Sequence, residues 1–137
     1  IEAAYESGDR WYFFLSYLYN DATITQAPDN PQLVGNQVRQ APKHSFTARA
    51  RYRGAWFDST LLARYVGERY EDDLNTLEVD DFLLFDLRFA RRLSATTELF
   101  LSIENLFDEN YEVRTTNSGA TEIGRPRSIG LGLSFRR

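Results

Sequence analysis

The stretch "HSFTARARY", His44 to Tyr52, decides how the rest of the chain is read. Phe46, Ala48, Ala50 and Tyr52 fall on one side, with Ser45, Thr47, Arg49 and Arg51 on the other. That period of two is the signature of a pleated strand with one apolar and one polar face. The alternation recurs outward from this point. "FLLFDLRFA" (82–90) sets Leu83, Phe85, Leu87 and Phe89 against Asp86 and Arg88, and "TELFLSIE" (97–104) sets Leu99, Leu101 and Ile103 against Glu98, Ser102 and Glu104. "FDSTLLARYVG" (57–67) opposes Phe57, Leu61, Ala63 and Tyr65 to Asp58, Thr60 and Arg64. "SIGLGLSF" (128–135) opposes Ile129, Leu131, Leu133 and Phe135 to two glycines and Ser134. Trp11 to Tyr19 is apolar on both faces, so alternation alone does not assign its facing. With "IEAAYES" as a partial strand, about seven strands are predicted, each of ordinary length.

The connections alternate in length. "ESGDR", "RYRGA" and "ARRLSAT" are tight, whereas "TITQAPDNPQLVGNQVRQAP", "GERYEDDLNTLEVDD" and "RTTNSGATEIGRPR" are long and polar. In an antiparallel up-and-down sheet this places every short turn at one end and every long loop at the other, as in outer-membrane barrels. Such barrels normally have an even strand count, so seven strands predict part of a larger barrel. A chain of 137 residues that opens on Ile1 and contains no Met is likewise expected to be cut from a longer protein.

Composition narrows the functional classes. A net charge of -4 argues against nucleic acid or an anionic membrane surface as partner, since both attract clustered Lys and Arg. With no Cys and a single His, His44, thiol chemistry and the common zinc and iron–sulfur ligand sets are excluded. A Ser nucleophile would have only His44 as its histidine base. Paired carboxylates for glycoside hydrolysis could come from Asp86, Glu98 or Glu104, but nothing singles them out, and no catalytic residue is assigned. Glu71, Asp72, Asp73, Asp80 and Asp81 could collect around a calcium ion or simply solvate a loop; they lack the Gly-centred spacing of a calcium hand, and no metal or cofactor is expected.

No apolar run reaches the roughly 18 residues of a spanning helix, but spanning strands need only about 9 to 11 residues with every second one apolar. Alternation fits part of a large membrane barrel with its apolar face outward, or a small self-contained barrel, either a soluble binder of apolar ligands or an outer-membrane structural or hydrolytic barrel. Aromatics near strand ends (Trp11, Tyr17, Tyr19, Tyr52, Trp56, Tyr65, Tyr70) favour the membrane reading, because Trp and Tyr concentrate at its interfaces.

The last third of the chain resembles the C-terminal end of TonB-dependent outer-membrane receptors, through "IENLFDENYE" (103–112) and "GRPRSIGLGLSF" (124–135). "GNQVRQAPKHSFTARARY" and "YVGERYEDDLN" are similar to earlier segments of that family. The resemblance implies an all-β antiparallel barrel segment, residues 1–137, from the C-terminal part of such a receptor, with the plug domain absent. It implies an active-transport receptor of the bacterial outer membrane for a scarce ligand such as a ferric siderophore, a cobalamin or a sugar. Its partners would be lipid, the rest of the barrel and plug, the outer-membrane assembly machinery, the small-molecule ligand, and the energy-transducing TonB protein through the missing N-terminal part.

The ligand would meet long-loop residues Asn30, Gln37, Arg39, Arg69, Tyr70, Asn75, Arg114, Thr116 and Asn117. Arg49, Arg51, Arg64, Arg88, Glu98 and Glu104 would face the lumen or plug. Ser128, Gly130, Leu133 and Phe135 fit the family's assembly signal, with Arg136 and Arg137 beyond it. In "NLFDENY", Asn105 and Asp108 are expected to bond locally to backbone, with Phe107 and Tyr111 anchoring at the interface.

Overall fold

The structure, a computed structural model, describes residues 1–116 and 118–135. Its strands in chain order are β1 (Glu2–Ser7), β2 (Trp11–Tyr19), β3 (His44–Arg53), β4 (Asp58–Val66), β5 (Arg69–Tyr70), β6 (Glu78–Val79), β7 (Phe82–Arg92), β8 (Thr97–Glu104), β9 (Glu112–Thr115), β10 (Thr121–Ile123) and β11 (Ser128–Phe135). Seven of them form one antiparallel sheet in the order β1-β2-β3-β4-β7-β8-β11, each strand lying beside the next large strand of the sequence. The expected meander is therefore present. The two remaining pairs, β5-β6 and β9-β10, are small hairpins inside long connections that were expected to be plain loops.

The sheet is open, because β1 and β11 are edges and do not pair with each other. A closed small barrel is thereby excluded for these residues. The exposed area makes the same point: 9788 Å² is well above the roughly 7,400 Å² that compact folding predicts for this mass. The buried apolar positions among the described residues are few, Val79, Leu84 and Ala90, so the sheet has no core of its own.

Register settles which residues share a face, since directly opposed residues point the same way. Leu15, Ala48, Ala63 and Phe85 stand in one row, and Phe13, Ala50, Leu61, Leu87 and Ile103 in the next. Beyond them Ile129, Leu131, Leu133 and Phe135 oppose Ile103, Leu101, Leu99 and Thr97. This apolar face lies open, with Leu131 74% exposed. A soluble barrel would have turned it inward. The facing of β2, unassigned by sequence, follows from its neighbour: Trp11, Phe13, Leu15 and Tyr17 join the apolar face, leaving Tyr12, Phe14 and Ser16 on the polar one.

Aromatics form two bands on the apolar face. Near the short turns, Trp11 packs at a tilt against Tyr52 (4.9 Å) and Tyr52 against Phe57 (5.3 Å), while Phe57 stacks on Phe89 (4.9 Å). Near the long loops, Tyr19 meets His44 (5.3 Å) and Phe46 meets Tyr65 (5.4 Å), while Tyr17 Oη and His44 Nδ1 share a 2.8 Å hydrogen bond. Six residue steps, from Trp11 to Tyr17, separate the bands by about 20 Å along the strand.

Candidate functional site

The three long connections converge at one end of the sheet and bond to one another. Asn75 holds φ +56°, a left-handed conformation that Asn tolerates better than most residues. From there its Oδ1 accepts from Gln37 N (2.7 Å) and its Nδ2 donates to Gln37 O (2.9 Å), so one side chain pairs with a backbone as a neighbouring strand would. Asn36 Nδ2 donates to Asp73 O (2.9 Å), and Gln40 N to Tyr70 O (2.7 Å). The second loop is joined to the third by Arg69, whose Nη2 donates to Val113 O (2.7 Å). Glu71 ties all three, accepting from Gln40 Nε2 (2.9 Å) and lying 3.7 Å from Arg114 Nε, with its side chain only 6% exposed.

The ligand candidates divide accordingly. Gln37 and Arg69, at 7% and 9% exposed, and Asn75 are the fasteners of this cap. Arg39 and Arg114 sit on its surface with largely exposed side chains, Arg39 3.9 Å from Asp73. Tyr70 is half-buried, and Thr116 Oγ1 closes a turn by donating to Ala120 O (3.0 Å). Asn30 is exposed ahead of a 3-10 turn at Pro31–Leu33. Asn117 lies outside the described residues. Sequence reading missed Asn36 and Gln40 and weighed Glu71 only as a calcium ligand or a solvated charge, because their roles depend on residues more than thirty positions away.

The acidic run is local architecture. Asp72 accepts from Thr76 N (2.9 Å), Thr76 Oγ1 (2.8 Å) and Leu77 N (2.8 Å), shaping the turn between β5 and β6. Burial pushes its carboxyl upward, but the three donors outweigh that and hold it below the usual range. Among the described residues, no group of three or more His, Asp or Glu is arranged to hold a metal ion.

On the polar face the register collects every predicted lumen residue. Arg51, Thr60, Arg88 and Ser102 form one row, and Arg49, Leu62 and Asp86 the next, while Arg64 lies beside Thr47. Arg88 pairs with Glu98 (3.2 Å) and lies 4.5 Å above the Phe100 ring. Glu104 accepts from Ser128 Oγ at 3.4 Å. Phe100 in turn lies over Gly132, where any Cβ would meet its ring.

"NLFDENY" is the hinge from β8 into the third loop. Asn105 and Asp108 both take positive φ, 51° and 58°, which explains turn-tolerant residues so close to a strand. Asn105, 4% exposed, donates to Glu109 O (2.8 Å) and Arg125 O (3.1 Å) and accepts from Glu109 N (2.8 Å). Asp108 instead reaches across the loop, accepting from Arg127 N at 2.8 Å. Phe107 is exposed and meets Phe85 edge-on (5.2 Å) on the apolar face, as an interfacial anchor should. Tyr111 does not anchor there. It packs on Phe82 (4.6 Å), a polar-face residue of β7, and covers Gly124, because that side offers it an aromatic partner and a surface without a Cβ.

Comparison with known proteins bears on this architecture. The family model described as "TonB dependent receptor-like, beta-barrel" matches residues 1–106. The metal-pseudopaline receptor CntO of Pseudomonas aeruginosa is 30% identical over 126 residues, covering 88% of this chain and 18% of the receptor. The ferrichrome outer membrane transporter/phage receptor of Escherichia coli is 30% identical over 132 residues, covering 88% of this chain and 17% of the transporter. The crystal structure of the siderophore receptor PiuA from Acinetobacter baumannii superposes with a TM-score of 0.84 at 25% identity, covering 96% of this chain and 20% of that one. The chain thus spans about a fifth of the length of the curated relatives it matches.

Proposed function

The chain belongs to the TonB-dependent receptor β-barrel family, whose members are outer-membrane proteins, and on that premise we propose that it is the C-terminal wall of an active transporter. The polar face lines the lumen and the apolar face meets lipid. The observation that carries this reading is the coexistence of an exposed apolar face, banded by aromatics at both ends, with a charged face roofed by joined loops.

The function is capture and passage of a small molecule, without bond chemistry. Arg39 and Arg114, the exposed cations of the cap, and Asn30, Tyr70, Thr116 and Asn117 meet the ligand from outside. Gln37, Arg69 and Asn75 serve it indirectly, by holding the cap in shape. The ligand class is a metal chelate of the siderophore kind, which is what the relatives' names describe. Energy reaches the site through a TonB-type partner that engages a part of the receptor beyond these residues. Deleting the gene and following uptake of a panel of radio-iron chelates tests the reading. Loss of uptake of at least one chelate is expected, and unchanged uptake of all of them under iron limitation would overturn it.

A further inference from the structure

The stretch "ARRLSAT" reads as a tight turn, yet β7 continues through Arg91 and Arg92 before the chain reverses. That extension puts two neighbouring arginines on opposite faces. Arg92 opposes Glu98 on the polar face and pairs with Asp58 at 3.7 Å. Arg91 opposes Leu99 and shares the parity of Leu87 and Phe89, so it stands on the apolar face. Among the described residues of the seven strands, Arg91 is the one Arg, Lys, Asp or Glu that register places there.

Its surroundings on this face are complete within the chain. β4 and β8 flank β7 on either side, so no open edge adjoins it. The rest of a barrel would continue from β1 and β11, and its interior would lie behind the polar face, so neither covers Arg91. Exposed Phe89 and Leu93 bracket it in sequence, and Phe89 stacks on Phe57 at 4.9 Å. Arg91 is itself exposed, and among the described residues no carboxylate comes within 4.0 Å of its guanidinium.

Level along the strand decides what such a cation meets. Phe57 and Phe89 belong to the aromatic band near the short turns, and bands of this kind mark a bilayer interface. Arg91 lies one rung, about 7 Å, farther toward the turn, at the depth of headgroup phosphates. In the other direction the rungs Phe89–Leu101 and Leu87–Ile103 run on from it as an apolar lane about 13 Å long. A cation heading an apolar lane complements a molecule with an anionic head and a hydrocarbon tail.

We propose that Arg91 and the apolar lane of β7 and β8 bind one glycerophospholipid of the leaflet nearest the short turns. Its phosphate accepts from the guanidinium, and an acyl chain lies along Phe89, Leu101, Leu87 and Ile103. Guanidinium suits the task, since it presents a planar fork of donors matched to phosphate oxygens. The bound lipid fixes the height of this wall in the membrane, which interfacial arginines and aromatics set together. The proposal rests on the lipid-facing reading of the apolar face and names the molecule that this face holds.

The test uses the full-length receptor in dodecyl maltoside, a detergent without phosphate, with phenylglyoxal as arginine reagent and peptide mass spectrometry as readout. Arg91 is expected to react in detergent alone. Dioleoylphosphatidylcholine, which leaves the net charge of the micelle unchanged, should slow that reaction severalfold. Dioleoylglycerol, the same chains without phosphate, and inorganic phosphate at the same concentration should each slow it far less. If Arg91 is unreactive in detergent alone, a protein group already holds it and the site is overturned. Equal slowing by dioleoylglycerol would mean acyl cover without a phosphate contact, and equal slowing by inorganic phosphate an anion site without lipid selectivity; either overturns the proposal, as does no slowing by the phospholipid. The facing of the sheet is judged by charge tolerance at Leu61 and transport by uptake, so failure of this site is distinct from failure of either reading.

Discussion

Asn75 and Gln37 hold each other by two opposed hydrogen bonds, 2.7 and 2.9 Å, across thirty-eight positions of sequence. One amide side chain thereby takes the part of a strand. Because this pair fastens the first long loop to the second, and Arg69 and Glu71 fasten the second to the third, the cap should respond as a unit.

Asn75→Ala removes both bonds and leaves Ala in the left-handed region. We expect the cap to lose about 1 to 3 kcal/mol of local stability, the cost of leaving half-buried backbone groups unsatisfied. Hydrogen exchange at Gln37 in the full-length receptor checks it. Gln37 should lose its protection while β2 and β3 keep theirs, and unaltered exchange at Gln37 would show that the pair does not fasten the loops.

Arginine introduced on the apolar face should cost more than an arginine removed from the polar one. Leu61 lies in the middle rows between the aromatic bands, so Leu61→Arg is expected to destabilise the receptor in lipid by about 2 to 4 kcal/mol. Arg88→Leu gives up a half-exposed ion pair, worth about 1 kcal/mol or less, and the contact with the Phe100 ring, worth about 0.5 to 1 kcal/mol. Denaturant unfolding of both variants of the full-length receptor in vesicles compares them, and equal losses would reverse the facing.

Gly124 is close-packed by need, since a Cβ there would clash with the Tyr111 ring, itself packed against Phe82. Gly124→Ala should therefore cost about 1 to 3 kcal/mol by overpacking. Adding Tyr111→Leu should recover part of that loss. A double variant no more stable than Gly124→Ala alone would mean that the ring is not the obstacle.

Asp72 gives the cap a pH dependence with a definite sign. Its carboxyl lies below the usual range when folded, because Leu77 N and both donors of Thr76 outweigh the opposing effect of burial. Its stabilising effect is therefore fully present above the unfolded value, about 3.9, and fades as pH falls through the lower folded value. Protection of Thr76 and Leu77 from exchange, relative to the intrinsic amide rate at each pH, should fall below about pH 4, and Asp72→Asn should remove that dependence. A wild-type pH profile that persists in the variant would assign the effect to another group.

Phe135 closes the apolar face at the short-turn end, exposed and opposite Thr97 on an edge strand. If Ser128, Gly130, Leu133 and Phe135 act as an assembly signal, an unpaired edge is what strand addition would capture. Phe135→Ala should then lower the amount of folded receptor in the outer membrane severalfold. Deleting Arg136 and Arg137, which lie outside the described residues, should leave that amount unchanged. Normal abundance of the Phe135 variant would assign the residue a different role.

Sequence by itself determined the strands and their faces, because alternation in "HSFTARARY" or "FLLFDLRFA" is a property of neighbours two positions apart and needs no partner to be visible. It also determined the meander, since a chain with alternating short and long connections has few other ways to run. Tertiary structure decided three things that depend on distant residues. Pairing with β3 turned Phe13 outward and Phe14 inward on a strand apolar at both. Loop convergence made Gln37, Asn75 and Arg69 fasteners of a cap, although polar residues on long loops read equally well as ligand contacts. Packing against Phe82 drew Tyr111 to the polar face while Phe107, four residues earlier, stayed on the apolar one. In each case the deciding partner lies at least ten residues away, beyond the reach of any local pattern.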